Sequence, residues 1–347
     1  MARPKKAKTL THDHIMQASV RVDAELRRRS QLLWDDRSLA TRGPKAAFTP
    51  DDVVKAAEEE LFEQAPQRER QLHESLALGD RVCVDTLGYS SGKLLPFSAK
   101  FEHFMRLMPQ PDLPGVAETI AAAKVGDTTL VRFTFPANYP QVSLRNQPAL
   151  FIVTILSASA VTLPDPKSAV FLKKVGAKTY DAWLKGVEAR LEDQKSTELA
   201  LALQNRVLDE LLKRVSFEVP QDLINEEIRR KWALHEGKGM ANRAFKAHEQ
   251  QEALDGWLQS AEVRAEATRR LKIALVLRAI AERDGLELDP KAGKDLLLSV
   301  TAQAGMSEKA LKTELKQSKM LAEVVAQLGL HLIAVEHVMS KAKVTFK

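Results

Sequence analysis

Histidine and cysteine are the residue types here whose spacing could bind a metal ion or supply a nucleophile. The chain has eight histidines and one cysteine. His12 and His14 form a His-x-His pair, but no carboxylate or cysteine at metal-ligand spacing supports a site, so we interpret them as exposed tail residues. Cys83 lies in a short apolar run and is interpreted as a small buried hydrophobe. The sequence also contains no GxGxxG or P-loop motif. It therefore predicts no metal site and no cofactor.

A β-rich segment occupies residues 79–157, where short alternating apolar runs are separated by Gly and Pro turns. Its landmarks include Phe135-Pro136 with Tyr139, and Phe151 in the last run. In these and three other motifs it resembles the FKBP-type prolyl isomerase domain of bacterial trigger factors. The other motifs are Gly79-Asp80-Arg81-Val82, Leu113-Pro114-Gly115 and Gly126-Asp127.

Helical periodicity dominates the chain from about residue 165 onward. We expect one helix over about 179–214, an extended break before Pro220 and another helix over about 249–284. Gly237-Lys238-Gly239 either ends the helix that follows Pro220 or marks the tip of a hairpin arm. Residues 219–228, VPQDLINEEI, resemble a motif of the trigger factor chaperone domain, and residues 48–64 resemble the family's linker helix.

The resemblance implies an α+β protein, with a small antiparallel-sheet FKBP-like domain next to a large all-α chaperone domain with arms. Its boundaries are predicted as a linker helix over 48–76, the FKBP-like domain over 77–160 and the chaperone domain over 161–347. The family's ribosome-binding domain carries a Gly-Phe-Arg-x-Gly-Lys loop, and that motif does not occur here. Residues 1–47 are predicted to form a basic, helical extension in its place.

Charge is concentrated in that extension. Residues 1–47 contain 11 Lys or Arg and five Asp or Glu, which accounts for the whole net charge of +6. A helix predicted over 12–35 could pack on its own body, exchange with a second chain to form a homodimer, or dock a partner. Nucleic-acid binding is the minor interpretation, because no aromatic stacking platform accompanies the charge.

The resemblance also assigns an aromatic cup that holds a proline ring. Catalysis of prolyl isomerisation requires preferential binding of the twisted amide and needs neither a metal nor a nucleophile. The substrate-binding positions kept as rings are Tyr139 and Phe151, with Phe135 and Phe104 also matched. Leu113 lies in the Leu-Pro-Gly motif, whereas Thr86, Leu95 and Val116 stand where the family usually has larger aromatic side chains. We therefore favour a binding role over catalysis, with weak isomerase activity as the alternative.

The expected function is that of an ATP-independent chaperone for unfolded, partly folded or nascent polypeptides. Alternatives are an active prolyl isomerase whose helical part recruits substrate, and a dedicated assembly or export chaperone for one client. Ribosome docking through the family loop is not expected, nor is a membrane span, since no run of 18 apolar residues occurs. The single cysteine and the absence of a signal-peptide pattern favour a cytoplasmic location.

Overall fold

The computed structural model describes residues 48–110, 113–287 and 319–342. The predicted extension over 1–47, with His12 and His14, lies outside these residues. The strands are β1 Gln67–Glu69, β2 Arg81–Ser90, β3 Lys93–Leu94, β4 Lys100–Arg106, β5 Thr128–Thr134 and β6 Pro148–Val161. The α-helices are α1 Pro50–Gln64, α2 Val116–Ala121, α3 Ala169–Lys174, α4 Tyr180–Lys213, α5 Gln221–Trp232, α6 Lys238–Asn242, α7 Ala247–Gln259, α8 Ala261–Arg283 and α9 Lys319–Lys341.

The six strands form one antiparallel sheet organised around β6. This strand pairs with β1, β2 and β5 along its 14 residues, while β3 and β4 pair with β2. Its sequence favours a strand, because β-branched residues occupy positions 152–155 and Phe151 adds an aromatic ring. The predicted α+β class is confirmed, with this sheet domain beside a large helical region.

The core of the sheet domain lies between one face of the sheet and α2. Alternation along the strands puts Val82 and Val84 of β2 and Val153 of β6 on that face, all at most 1% exposed. Ile120 of α2 covers them. Gly115 precedes this helix with φ of 76°, a left-handed conformation that glycine adopts without strain.

Two helical predictions are confirmed and two need correction. Helix α4 covers 34 residues close to the predicted 179–214, and α5 begins directly after Pro220 with Ile224 and Ile228 buried. The helix does not end at Gly237, because a π turn over Ala233–Gly237 continues into α6. The predicted helix over 249–284 is broken at Ser260, whose extended backbone separates α7 from α8.

Residues of the described chain fall into two compact units. One contains residues 50–188 and 220–268, so the sheet domain and the helices α5 to α7 belong to the same unit. Within it, Ala57 of α1 packs with Phe171, Trp183 and Val187 of α3 and α4. The other unit contains 189–219, 269–287 and 319–342, with a core built on Leu208, Leu277 and Ala334.

None of the helices in the described ranges is long and apolar enough to cross a membrane.

The core assignment predicts different effects for neighbouring residues of β6. Ile155 is fully buried in the core, whereas Leu156 is 39% exposed. We expect Ile155→Ala to lower the free energy of unfolding by about 2–5 kcal/mol, because it leaves a cavity. Urea denaturation of the full chain, followed by tryptophan fluorescence, measures the loss. Leu156→Ala is the matched control, and an equal loss in both variants would contradict the assignment.

Candidate functional site

Four aromatic rings form a row at one end of the sheet. Phe133 of β5 lies between Phe151 and Phe135, with ring centroids 5.6 Å and 5.0 Å away. Tyr139 continues the row, with its centroid 4.5 Å from that of Phe135. The rings meet in tilted or edge-to-face geometry, which aromatic pairs favour. Three of the predicted cup residues are thus brought together, and Phe133 is an addition that the sequence analysis missed.

Phe151 lies flat against the backbone of β2, where it faces Gly88 across the two strands. A Cβ atom at Gly88 would lie 2.5 Å from Cζ of Phe151, so only glycine leaves room for the ring. Val116, at the start of α2, packs with Phe133 and Phe151 against the same core. The smaller side chain of Val116 therefore does contribute to the apolar wall beside the rings.

Thr86 and Leu95 belong to a hydrogen-bonded connection instead of a ring wall. The Thr86 hydroxyl donates to the carbonyl oxygen of Ser98 at 2.9 Å, and the backbone N–H of Leu95 donates to the carbonyl oxygen of Gly88 at 2.8 Å. The Ser98 hydroxyl lies 2.6 Å from the carbonyl oxygen of Leu95. These bonds fix the segment after β3 to the strand that carries Thr86. Thr86 therefore contributes a hydrogen bond to the backbone at this position and no aromatic ring.

The structure does not bring Phe104 to the ring row. Phe104 is paired with Cys83, and Cys83 alternates with the core residues Val82 and Val84, so the Phe104 side chain points to the opposite face of the sheet. It is 65% exposed. His103, one residue earlier, is paired with Val84 and lies on the core side of β4, and burial lowers its pKa. Leu113 is half-buried and forms an isolated bridge with Gln110.

A groove with a volume of about 720 Å³ opens on the face of the sheet opposite the core, whereas the rings of Phe133 and Phe151 pack against the core. Phe133 of β5 also borders the groove, and the wall is mainly apolar, with Leu150 and Ile152 of β6 and Pro148 at its end. Leu150 and Ile152 alternate with Phe151 and Val153, so they lie on the face opposite the core. The groove also takes in Tyr89 and Arg132. Its composition suits an apolar segment of an extended polypeptide better than a charged small molecule.

A second polar cluster joins the sheet domain to the helices of the same unit. Glu236, in the π turn, is 1% exposed and accepts hydrogen bonds from the indole of Trp257 at 2.7 Å and from the backbone N–H of Ala99 at 3.1 Å. Burial raises its pKa from 4.5 to about 7, against the opposing effect of these hydrogen bonds. No sequence pattern indicated this residue, because its partners come from distant parts of the chain.

In the parts of the chain that the structure describes, no group of three His, Cys, Asp or Glu side chains could hold a metal ion. The candidate site consists of apolar side chains and hydrogen-bonding groups.

Comparison with known proteins shows a similarity that includes the helical part. Residues 182–334 match the family model described as the C-terminus of the bacterial trigger factor protein. Over 305 residues the chain is 27% identical to the trigger factor of Sinorhizobium fredii, covering 85% of this chain and 61% of the relative. It is 27% identical over 247 residues to the trigger factor of Coxiella burnetii (strain CbuG_Q212), covering 71% of this chain and 55% of that protein.

Among solved structures, one of the trigger factor chaperone covers 84% of this chain and 67% of that chain, with a TM-score of 0.34 and 16% identity. A multi-domain immunophilin from Arabidopsis thaliana covers 73% of this chain and 93% of its own, with a TM-score of 0.23 and 12% identity. The chain spans 61% or less of the length of the two curated relatives described above.

The close packing of Phe151 on Gly88 predicts strong coupling between the two positions. Gly88→Ala should lower the free energy of unfolding by about 1–3 kcal/mol, because its methyl group displaces the ring. In a Phe151→Ala background the same substitution should have little effect, since the ring is gone. Chemical denaturation of the four proteins in this double-mutant cycle measures the coupling. Additive effects would show that the ring does not lie on Gly88.

Proposed function

From the premise that this chain is related to the bacterial trigger factors over most of its length, we propose that it is an ATP-independent chaperone. It binds unfolded, partly folded or nascent polypeptides through apolar surface, and this binding requires no cofactor. The observation that carries this proposal is the apolar groove of about 720 Å³ on the face of the sheet opposite the core, which has the size and composition of a binding surface.

The two parts of the molecule divide this work. The helical part, which contains the family match over 182–334, provides the main polypeptide surface, and the FKBP-like sheet domain provides the groove. We propose three parts with these bounds: the linker helix over 48–76, the sheet domain over 77–160 and the helical domain over 161–347. The proposed location is the cytoplasm, where nascent and unfolded chains are available.

Apolar groove residues suit weak binding to many sequences. An extended segment that buries two or three apolar side chains there gains a few kcal/mol from the hydrophobic effect, before the cost of ordering the segment. The affinity is then modest, and release needs no chemical step. A single positive charge, Arg132, lies among the groove residues, so the groove tolerates neutral and acidic segments better than basic ones.

Prolyl isomerisation is the second candidate, and the row of Phe133, Phe135, Tyr139 and Phe151 is the observation in its favour. Phe133, Tyr139 and Phe151 are half-buried and offer a proline residue an apolar wall, whereas Phe135 is 2% exposed and supports them. Against full activity stand Thr86, whose hydroxyl is bound to the Ser98 carbonyl, and Phe104, which lies on the opposite face. The expected activity is weak, because fewer rings surround the twisted amide. A dedicated chaperone for one client depends on residues 1–47 and stays a prediction.

Groove binding can be tested with a substitution that keeps the strand intact. Ile152→Thr retains a β-branched side chain but replaces apolar surface with a hydroxyl, so it should weaken binding of a denatured client about three- to tenfold. Light scattering of the aggregating client and fluorescence anisotropy of a labelled unfolded polypeptide measure the effect. Val170→Thr is the matched control, because Val170 is 82% exposed on α3, away from the sheet. Equal affinities in all three proteins would rule out the groove.

The isomerase alternative predicts a different response to Tyr139→Ala. This residue is half-buried at the end of the ring row, so its loss should remove most of any prolyl cis/trans activity on a peptide. Aggregation suppression should stay within about twofold of the unchanged protein, since the groove remains. Parallel assays on one preparation separate the two functions. Loss of both activities together would make the ring row, and not the groove, the binding site.

A further inference from the structure

A helical hairpin covers one segment of the sheet domain within the same compact unit. The hairpin consists of α5, the π turn, α6 and α7, residues 221–259, in which α5 and α7 pack together. The covered segment is residues 94–102, which leads from β3 into β4. Phe97 of this segment lies against Trp257 with ring centroids 4.1 Å apart, and Phe101 meets Phe245 edge to face at 5.9 Å.

Glycines allow the hairpin to approach this closely. A Cβ atom at Gly239 would lie 2.3 Å from Cδ2 of Phe101, and one at Gly256 would lie 3.3 Å from the carbonyl oxygen of Leu94. The Gly239 distance is far below a normal contact, so a methyl group there must force the two surfaces apart. The interface is therefore specific to this hairpin sequence and is not a loose contact.

Glu236 lies in the middle of the interface and binds both sides. Its Oε1 atom accepts from the backbone N–H of Ala99 in the covered segment, and its Oε2 atom accepts from the indole N–H of Trp257 in the hairpin. The π turn creates this arrangement, because one extra residue per turn changes the direction in which the following side chains point. A buried carboxyl group has thus been placed where the two surfaces meet.

An ion pair closes the rim of the same interface. Arg243, directly after α6, donates from Nε to Oδ2 of Asp85 at 2.7 Å and from Nη2 to Oε1 of Glu102 at 3.2 Å. The Arg243 side chain is 34% exposed, so this contact is screened by solvent and contributes little by itself. The buried carboxyl group of Glu236 therefore has the larger effect on the stability of the closed arrangement.

We propose that Glu236 is a proton-controlled latch, and that its release enlarges an aromatic surface, formed by Phe101, Phe245 and Trp257 around the already 39% exposed Phe97, for apolar polypeptide segments. The latch rests on the contacts of Glu236 with Ala99 and Trp257 across the interface. Its use for polypeptides rests on the proposed chaperone function.

The direction of the switch follows from the environment of the carboxyl group. In the closed arrangement burial raises the pKa of Glu236 from 4.5 to about 7, and in the released arrangement water restores the ordinary value. The closed arrangement therefore binds a proton more tightly than the released one. Its extra stability is fully present below pH 4.5 and is lost as the pH rises through about 7. The two pKa values correspond to a total change of roughly three-hundredfold in the closing equilibrium, of which about a hundredfold falls between pH 5 and pH 8.

Other charged groups lie around the latch, and His235 acts in the opposite direction. Its ring stacks on that of Trp257 with centroids 6.2 Å apart, and burial lowers its pKa, so the closed arrangement disfavours the protonated imidazole. Lys231 pairs with Glu266 of α8 at 2.7 Å. On the sheet domain, burial raises the pKa of Tyr89, with smaller contributions from Glu249 and Glu252 of α7. The rim carries Arg243, Asp85 and Glu102. Substitution of Glu236 separates its effect from these groups.

Hydrogen exchange of the Ala99 amide, which donates directly to Glu236, tests the latch in the full chain. After correction for the intrinsic exchange rate, its protection should fall roughly a hundredfold between pH 5 and pH 8. In Glu236→Gln the fall of protection with rising pH should disappear, and only the opposite effect of His235 should remain. Glu252→Gln, an exposed carboxyl group on the same hairpin, should behave like the unchanged protein. Equal protection at the two pH values in the unchanged protein would overturn the latch.

Gly239→Ala provides a released protein without changing any titrating group, because its methyl group collides with Phe101. Its Ala99 amide should exchange rapidly at every pH, while protection of the β6 amides shows that the sheet is folded. If it fails to fold, Arg243→Met serves as a milder opening variant. A labelled unfolded polypeptide should bind better to the unchanged protein at pH 8 than at pH 6, and equally well to Gly239→Ala at both.

The outcomes of these experiments are distinct. Opening without any gain in polypeptide binding would overturn the aromatic surface and leave the latch. Pronounced binding at both pH values, with no change in Ala99 protection, would overturn the latch and leave the groove as the chaperone surface.

Discussion

Strand β6 is the constraint on which the sheet domain depends. Its 14 residues pair with three other strands, so one register decides the position of nearly every functional side chain in this part of the chain. Because side chains alternate along a strand, Val153 and Ile155 must enter the core once Leu150 and Ile152 face the groove. Phe151 then has only the backbone of Gly88 to lie on. Core, ring row and groove are therefore three aspects of one pairing.

Buried polar groups and apolar contacts affect the hairpin interface in different ways. A hydrophobic contact such as Phe97 on Trp257 favours association at any pH, and its geometry tolerates adjustment. A buried carboxyl group is costly unless it is fully hydrogen-bonded or protonated. Glu236 therefore adds little net stability to the hairpin interface but makes that interface responsive to its surroundings. The π turn is what directs the Glu236 side chain into this interface, since a regular helix would point it elsewhere.

Elements with local sequence signals could be predicted from the sequence. Side-chain positions that depend on distant partners could not. Pro220 and the alternating runs predicted the start of α5 and the β-rich segment, because both signals act within a few residues. Phe104 was assigned to the cup by motif spacing, yet pairing with Cys83 turns it to the opposite face. Phe133 escaped notice, although it lies two residues before Phe135 on the same strand face. Glu236 gave no signal, since its meaning depends on Ala99, which is 137 residues away.

That separation has a consequence for the order in which the molecule is completed during translation. At roughly 5–20 residues per second, a ribosome needs on the order of ten seconds to add the residues between Ala99 and Glu236. During that interval the sheet can fold from local pairings, but Phe97 and Phe101 have no hairpin to cover them. A newly made molecule therefore passes through a stage in which Phe97 and Phe101 are more exposed than in the completed fold. Its own synthesis exposes it, for a short time, to the hazard faced by the chains it is proposed to assist.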